Sequence, residues 1–340
     1  MRRQLEVPMK KSVPNLAIAM FVCLSASSIS AQTSDNASGS DEASKLNAQA
    51  VALYKESKYE DAVKLQKQAL ALWEKEVGKE SKLIVTGSTN LAEMYRALQR
   101  YDEAAEAYQR GLKVEEKLLG PEHPDLVSLL IKLAWARHVL AQAGEAEALF
   151  KRAVAIKEKQ GADQPGLADL LLNLAAFYQK IGRNALALPI YRRVIAVQEK
   201  HFGPEGQPLV ATLEQCACAL RQDKNLAEAS GMERRAALIE QKSRPDVTPV
   251  TGGVLQGKAI HKEHPLYPPA AKSKRLSGAV LIKVEIDETG VVTDAKILCG
   301  ADLLAVPSRE AALKWRFSPT LLNDQPVKVI GILTFNFTLQ

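Results

Sequence analysis

Glycine and alanine recur along this 340-residue chain in one common register. The glycine spacings are 42, 41 and 42 residues, and the alanine spacings are 42, 42, 41 and 42 residues. Each unit has room for two helices and two turns, and so short a helix pair buries its apolar face only against neighbouring units. The sequence therefore predicts an all-α superhelical array, whose long concave surface favours binding over catalysis. The register is set by Gly78, Gly120, Gly161 and Gly203, and by Ala62, Ala104, Ala146, Ala187 and Ala229.

The net charge of the chain does not indicate a nucleic-acid partner. The formal charge is +6, but residues 1–31 supply four basic residues against one acidic residue. The rest of the chain then holds 41 basic and 38 acidic residues. Basic and acidic residues are nearly equal in number there, so this part of the chain lacks the excess of positive charge that binding to phosphates requires.

Residues 1–31 have the pattern of an export signal. A basic stretch precedes the apolar run from Leu16 to Leu24, and small residues follow up to Ala31, after which we expect cleavage. The apolar run is well under the ~20 residues that a membrane-spanning helix needs. We expect export to the periplasm, with a short uncleaved membrane anchor as the alternative.

Changes in composition divide the remaining chain. Residues 32–43 are small and polar and are expected to form a flexible leader. The helical period continues through residues 44–243, which predicts about five repeat units. Prolines and glycines in residues 244–258 break any helix and predict a linker. Residues 259–340 then form a second module.

Cysteine is sparse, which argues against a disulfide framework. Three cysteines remain beyond the N-terminal segment. Cys216 and Cys218 lie two residues apart on a predicted helix, so they point to different sides and do not easily bridge. Cys216 takes the repeat position that leucine holds in earlier units, which favours a packed core thiol.

The repeat units resemble tetratricopeptide repeats of the 42-residue kind found in kinesin light chains. The resemblance rests on Asn90-Leu-Ala-Glu-Met-Tyr95, Tyr101-Asp-Glu-Ala104, Tyr108-Gln-Arg-Gly-Leu112 and Gly120-Pro-Glu-His-Pro124. In the second unit the first helix is expected from Ile84 to Leu98 and the second from Tyr101, with Gly120 as its left-handed cap.

One register position is polar in every unit where the repeat pattern is clear. The resemblance implies that this position of the first helix faces the inner groove, where an amide can hold the backbone of an extended peptide because it offers a donor and an acceptor. A solvated face or a hydrogen bond within the array is the alternative. The position is held by Asn90, Lys132, Asn173 and Gln215.

The second module has the pattern of a small α+β domain. Residues 280–286 alternate between apolar and polar, residues 287–290 form a turn, and the alternation resumes to residue 297, which predicts a hairpin. A helix with Pro307 in its first turn follows, and its sheet-facing side carries Leu304, Ser308, Ala311 and Trp315. A long strand from Val327 to Leu339 ends the chain. The expected order is strand, strand, helix, strand.

This module resembles the carboxy-terminal domain of TonB over roughly residues 250–340. Gly278-Ala-Val280, Ile286-Asp287, Ala311, Arg316 and the closing Phe335-Asn-Phe337 also match. Trp315 and Phe317 are more simply explained as core residues than as contacts. Two features differ from TonB: the N-terminal run is short, and helical repeats replace a long proline-rich segment. The motif residues are Tyr267, Pro268, Gly290, Trp315, Phe317 and Pro319.

The TonB resemblance implies that a segment of an outer-membrane transporter adds as a strand beside the last strand. Affinity would come from backbone pairing and specificity from alternating side chains. Self-pairing into a homodimer and another periplasmic client are alternatives, because an unpaired edge is sticky. The edge is expected at Val327, Lys328, Val329, Ile330, Gly331, Ile332 and Leu333.

No pattern of catalytic, phosphate-binding or metal-binding residues stands out. His261 and His264 are three residues apart beside a proline, which is more typical of solvated loop histidines than of a metal site. We therefore predict an exported, non-enzymatic binding protein without a cofactor. The alternatives are a membrane-anchored energy transducer for TonB-dependent transport and a self-associating scaffold.

Overall fold

The computed structural model describes residues 41–161, 165–244, 247–250 and 259–339. Within these residues, ten helices form five antiparallel pairs, as the repeat predicts, and each pair packs against the next. The helices are α1 (Asp41–Lys55), α2 (Tyr59–Val77), α3 (Lys82–Ala97), α4 (Tyr101–Leu119), α5 (Leu126–Val139), α6 (Ala143–Glu158), α7 (Pro165–Lys180), α8 (Asn184–Phe202), α9 (Leu209–Gln222) and α10 (Leu226–Ser243).

The recurring alanines and glycines have the roles that their spacing predicts. All five alanines are fully buried where the two helices of a unit approach each other. The four glycines end or follow the second helix of the first four units with φ between 77° and 137°, a range that L side chains rarely adopt. The repeat register is therefore a packing requirement at alanine and a backbone requirement at glycine.

The array begins three residues before its predicted start. Helix α1 starts at Asp41, where two acidic residues favour a helix N-terminus, and Ala43 is already fully buried. The predicted leader, residues 32–43, therefore ends inside this helix. The rest of that leader and the predicted export signal, residues 1–31, lie outside the described residues.

The second module contains the predicted strand–strand–helix–strand unit and additional strands. One sheet has the order β1-β7-β3-β4, with β6 also paired to β7, and β2 pairs with β5 in a second, two-stranded sheet. The strands are β1 (Val247–Val250), β2 (Ala259–His261), β3 (Gly278–Ile286), β4 (Val292–Cys299), β5 (Arg316–Phe317), β6 (Thr320–Leu322) and β7 (Gln325–Phe337), and the helices are α11 (Pro269–Ser273) and α12 (Asp302–Leu313).

Both faces of the main sheet are covered. Val280, Leu333 and Phe335 contribute to the core that packs against α12. On the other face, Leu281 and Ile332 pack in a cluster that includes Cys218 of α9. The sheet is thus the middle layer between its own helix and the end of the repeat array.

Several boundaries of this module differ from the predicted ones. Helix α12 ends at Leu313, so Trp315 follows the helix and does not lie on its face, and β7 ends at Phe337 and not at Leu339. Helix α12 begins at Asp302, so Pro307 lies inside the helix and not in its first turn. Strand β7 starts at Gln325 because Asn323 and Asp324 have φ values of 51° and 61°, which close a tight β6–β7 hairpin. The predicted loop before the last strand is therefore the tip of a hairpin.

Candidate docking edge and array surface

The aromatic motif residues of the second module form its core. Trp315 and Phe317 are 5% and 2% exposed, as predicted. The indole Nε1 of Trp315 donates to the carbonyl of Glu263 at 2.7 Å. The Tyr267 ring packs edge-on against Phe337 with ring centres 5.4 Å apart. These residues tie the segment before α11 to the last strand.

Gly290 ends the β3–β4 turn at a point where the backbone of β5 passes closely. Its φ is +89°, and an added Cβ would lie 1.9 Å from the carbonyl oxygen of Phe317. The Phe317 N–H donates to the carbonyl of Gly290 at 2.8 Å. Hydrogen bonds from the Thr289 side chain and from the Val291 backbone lower the pKa of Asp287, whose carboxylate organises the turn.

The two motif prolines lie at element boundaries. Pro268 has extended backbone angles directly before α11, where its missing N–H leaves no helix hydrogen bond unmade. Pro319 is exposed between β5 and β6. Neither contributes a side chain to the candidate docking edge.

The strand expected to offer that edge, β7, is paired on both sides. Strand β3 runs antiparallel along one side, with Val329 to Phe337 opposite Ile286 to Gly278. On the other side β1 pairs in parallel, with Val247 opposite Lys328 and Val250 opposite Gly331. The predicted open edge, Val327 to Leu333, is therefore occupied over residues 328–331 by β1, and Val327 is paired with Thr320 of β6.

This occupant comes from the segment expected to be a linker. Pro249 argues for a break when the sequence is read alone, because proline cannot donate a ladder hydrogen bond. Proline is nevertheless tolerated on edge strands, and β1 has β7 as its partner in the described sheet. The signal that could have indicated the strand is the pair of β-branched residues Val247 and Thr248 before the proline.

A groove of about 980 Å³ continues along the end of β7. It touches six consecutive residues, 334–339. Because side chains alternate between the faces of a strand, such a groove runs along the edge of the strand. Its described lining includes Lys262, Lys272 and Arg275 and no carboxylate. The groove is therefore positively charged beside aromatic walls.

The polar repeat positions contact neighbouring units within the array. Asn90 is 3% exposed, and its Nδ2 donates to Oδ1 of Asn47 in the preceding unit at 3.0 Å. Asn173 accepts from Trp135 Nε1 at 3.1 Å. For Asn90, the hydrogen bond within the array is the role that the structure supports.

Lys132 and Gln215 continue this polar row. The ammonium of Lys132 lies 2.9 Å from the Glu93 carboxylate of the preceding unit. Burial would raise the pKa of Glu93, but the charges of Lys132 and Arg96 outweigh it and lower that pKa. The Oε1 atom of Gln215 is buried without a hydrogen-bond donor among the described residues. Asn90 and Lys132 are therefore paired with neighbouring units, whereas the Gln215 acceptor has no such partner among the described residues.

A disulfide joins the array to the second module. Cys218 of α9 is bonded to Cys299 at the end of β4, with a sequence separation of 81 residues and 5.4 Å between their Cα atoms. Cys216 is buried and unbridged, as predicted, and burial raises the pKa of its thiol to about 11. The pair itself is not predicted by the sequence spacing. The sequence indicates the pair only through the number of cysteines. If Cys216 is a core thiol, two cysteines remain beyond the N-terminal segment, and they can bond to each other.

Ion pairs also join the array to the second module. The Lys283 ammonium on β3 lies 2.8 Å from Glu214 on α9 and also contacts Glu240 on α10. Lys283 is 12% and Glu214 9% exposed at their side chains. Burial would lower the pKa of Lys283, but the two carboxylates raise it above its ordinary value. Arg244 forms a further ion pair with Glu285.

Two known family models match this chain, one over the array and one over the second module. Residues 41–113, 83–159 and 166–237 match the tetratricopeptide repeat model, which together exceeds half of the chain. The chain therefore belongs to the tetratricopeptide repeat family. Residues 263–339 match the model of the Gram-negative bacterial TonB protein C-terminal domain. The two matches indicate protein–protein interaction and a TonB-family role in a Gram-negative envelope.

Solved structures support the repeat fold. A Podosopora anserina protein described as a kinesin light chain with nearly identical TPR-like repeats is 25% identical, with a TM-score of 0.54, over 59% of this chain and 95% of that chain. BtubC (BKLC) from P. vanneervenii is 22% identical, with a TM-score of 0.51, over 58% and 80% of the two chains, and shows the fold alone. No curated protein matches. None of the described helices is long and apolar enough to cross a bilayer.

Proposed function

We propose that this chain is an exported, non-enzymatic adaptor of the cell envelope. Its second module docks by strand addition on β7, and its repeat array binds a peptide or protein partner. The observation that carries the proposal is the pairing of β1 with residues 328–331 of β7. A strand from before residues 259–340 in the sequence already adds in parallel at the edge where a foreign strand would bind.

The groove beside residues 334–339 indicates the chemistry of the docking segment. Three cationic side chains line it, and Lys272 lies 5.6 Å from the centre of the Tyr267 ring. An extended segment with at least one acidic side chain complements this charge, and the surrounding rings suit an apolar neighbour. On the resemblance to TonB, we propose that this segment belongs to an outer-membrane transporter.

Export to the periplasm is supported by the disulfide. Bonds of this kind persist in oxidising compartments and are rare where thiols are kept reduced. The link between Cys218 and Cys299 closes a long loop between two modules, so it contributes to the arrangement of the whole chain. The export pattern of residues 1–31 leads to the same compartment.

The inner surface of the array is proposed to bind its partner through Lys132, Asn173 and Gln215. Asn173 uses one amide hydrogen on the backbone of Asp169 and accepts from Trp135, which leaves its exposed side to a ligand. Gln215 is half-buried, and its Oε1 receives no hydrogen bond from the described residues, so this acceptor is not committed to a contact within the array. Because Asn90 is buried and bonded to Asn47, we propose that it positions the neighbouring helices and does not contact the partner.

Photocrosslinking in living cells tests the docking proposal. A photoreactive residue replaces exposed Lys328 on the β7 edge, and a matched control replaces exposed Glu310 on α12. We expect an outer-membrane protein to be captured from position 328 and not from position 310. Capture of a second copy would support the scaffold, and equal labelling from both positions would contradict docking at this edge. An uncleaved, membrane-bound species would support the transducer.

A further inference from the structure

We propose that β1 is a built-in competitor for the docking edge, which a partner strand must displace. This inference rests on the proposed strand addition. Strand β1 occupies Lys328 to Gly331, the middle of the edge expected to receive the partner. The chain therefore carries its own occupant for the site, and apparent affinity for a partner is lower than the affinity of the bare edge.

The composition of β1 makes it a replaceable occupant. It is four residues long, whereas β7 has thirteen. Pro249 provides no N–H, so β1 carries three backbone donors where another strand of four residues would carry four. A foreign strand without proline would supply every donor and could continue along β7 past Gly331. Each added backbone hydrogen bond favours the foreign strand over β1.

The end of the array holds β1 near its site. Helix α10 ends at Ser243, and Arg244 is fixed by its ion pair with Glu285 on β3. The strand begins at Val247, so only a few residues separate this anchor from the edge. So short a tether gives the strand an effective concentration in the millimolar range. A strand whose dissociation constant for the edge lies below this concentration is then bound most of the time.

Displacement of β1 leaves the two modules joined. The bond between Cys218 and Cys299 and the contacts of Lys283 with Glu214 and Glu240 involve β3 and β4, not β1. The released strand stays tethered at Arg244 and returns when the partner leaves. The edge thus switches between an internal and an external strand without dissociation of the module.

The test compares two variants of the full-length oxidised chain. V247P/T248P removes two backbone N–H groups from β1, whereas V247A/T248A keeps them and serves as the matched control. The probe is a fluorescent peptide with the sequence of residues 244–251, titrated into the millimolar range. We expect the proline variant to bind it about tenfold more tightly than the wild type, as for an edge released from nine-tenths occupancy. The alanine variant should resemble the wild type.

Hydrogen exchange and cellular capture complete the test. The amides of residues 328–331 that point towards β1 should exchange faster in the proline variant, while the amides that pair β7 with β3 should not change. Equal peptide binding by all three chains would overturn the inference. Crosslinking from position 328 separates the two claims. Equal partner capture with and without β1 would overturn the competitor and leave strand addition standing, and no capture by either chain would overturn strand addition and this inference with it.

Discussion

Gly290 lies where a side chain has no space and where the backbone is left-handed. Replacing it with alanine would bring a Cβ against the Phe317 carbonyl at φ +89°. We expect Gly290→Ala to lower the free energy of unfolding by about 2 kcal/mol or more, since strain of this kind alone costs about 1–3 kcal/mol. Thermal or urea unfolding measures the change.

The control is Gly231→Ala in α10, where an added Cβ meets nothing within 4 Å. Alanine is the better helix former, so this variant should gain up to about 1 kcal/mol. If Gly290→Ala matched this control, the close approach of β5 to the turn would be refuted.

Asn90 tests the distinction between a groove residue and a structural one. Asn90→Ala removes the donor to Asn47 inside the array, and loss of a buried partner costs about 1–3 kcal/mol. We expect a lower melting temperature for Asn90→Ala. Asn173→Ala should weaken partner capture from the array with a smaller loss of stability. The reverse pattern in melting and capture would return Asn90 to the binding surface.

At the scale of elements, periodicity predicts most of the fold. The glycine and alanine registers identify the ten helices of the array, and alternation identifies β3, β4 and β7. Short elements are harder, because four or fewer residues carry little pattern. Strand β1 contains a proline, and β6 depends on a hairpin turn at Asn323 and Asp324.

The candidate site is less predictable than the fold. A sequence shows that a strand is apolar and terminal, but not what lies beside it. Occupation of β7 by β1 and the contact of Lys283 with Glu214 and Glu240 are tertiary facts. The alternation correctly places Lys283 on the face opposite the core. From the sequence alone, its side chain would be expected to lie in solvent. The array supplies the carboxylates that make this face an interface.

Lys283 is the residue through which that interface can be measured. Lys283→Met leaves Glu214 and Glu240 as nearby carboxylates without their shared cation, and loss of one partner of a buried ion pair costs about 3–5 kcal/mol. Lys296→Met is the control. Its side chain is 45% exposed beside the same Glu214, so it should cost less than about 1 kcal/mol.

The pH dependence of this pair has a defined sign. The folded-state pKa of Lys283 is raised, so its charged form stabilises the fold at all pH values below its ordinary pKa. That contribution is lost as the pH rises through the raised pKa. The stability difference between the wild type and Lys283→Met should therefore be constant near neutrality and shrink in strongly alkaline solution. An unchanged difference there would contradict the ion-pair interpretation.

On the scale of the whole molecule, the array and the second module behave as one covalently joined body. Cys218→Ser with Cys299→Ser removes the closure of an 81-residue separation, for which chain entropy predicts about 4.5 kcal/mol of stabilisation. We expect calorimetry to change from one unfolding transition to two. Wild-type protein in reductant should behave like the double variant.

Cys216→Ala is the matched control, because it removes a buried thiol outside the bridge. It should keep a single transition that reductant converts to two. A double variant that still unfolded in one step would mean that the packing of Leu281 and Ile332 against α9 suffices to couple the modules. In that case the bridge would contribute stability without setting cooperativity.

The sulfur bridge also decides how the molecule responds to tension. A pull between the first repeats and β7 reaches Cys218, crosses to Cys299 and continues toward the last strand. The intervening covalent stretch, including the β1 segment, is bypassed. A force applied to a strand bound on β7 would then not stretch β1, the segment that pairs with β7 again when that strand dissociates.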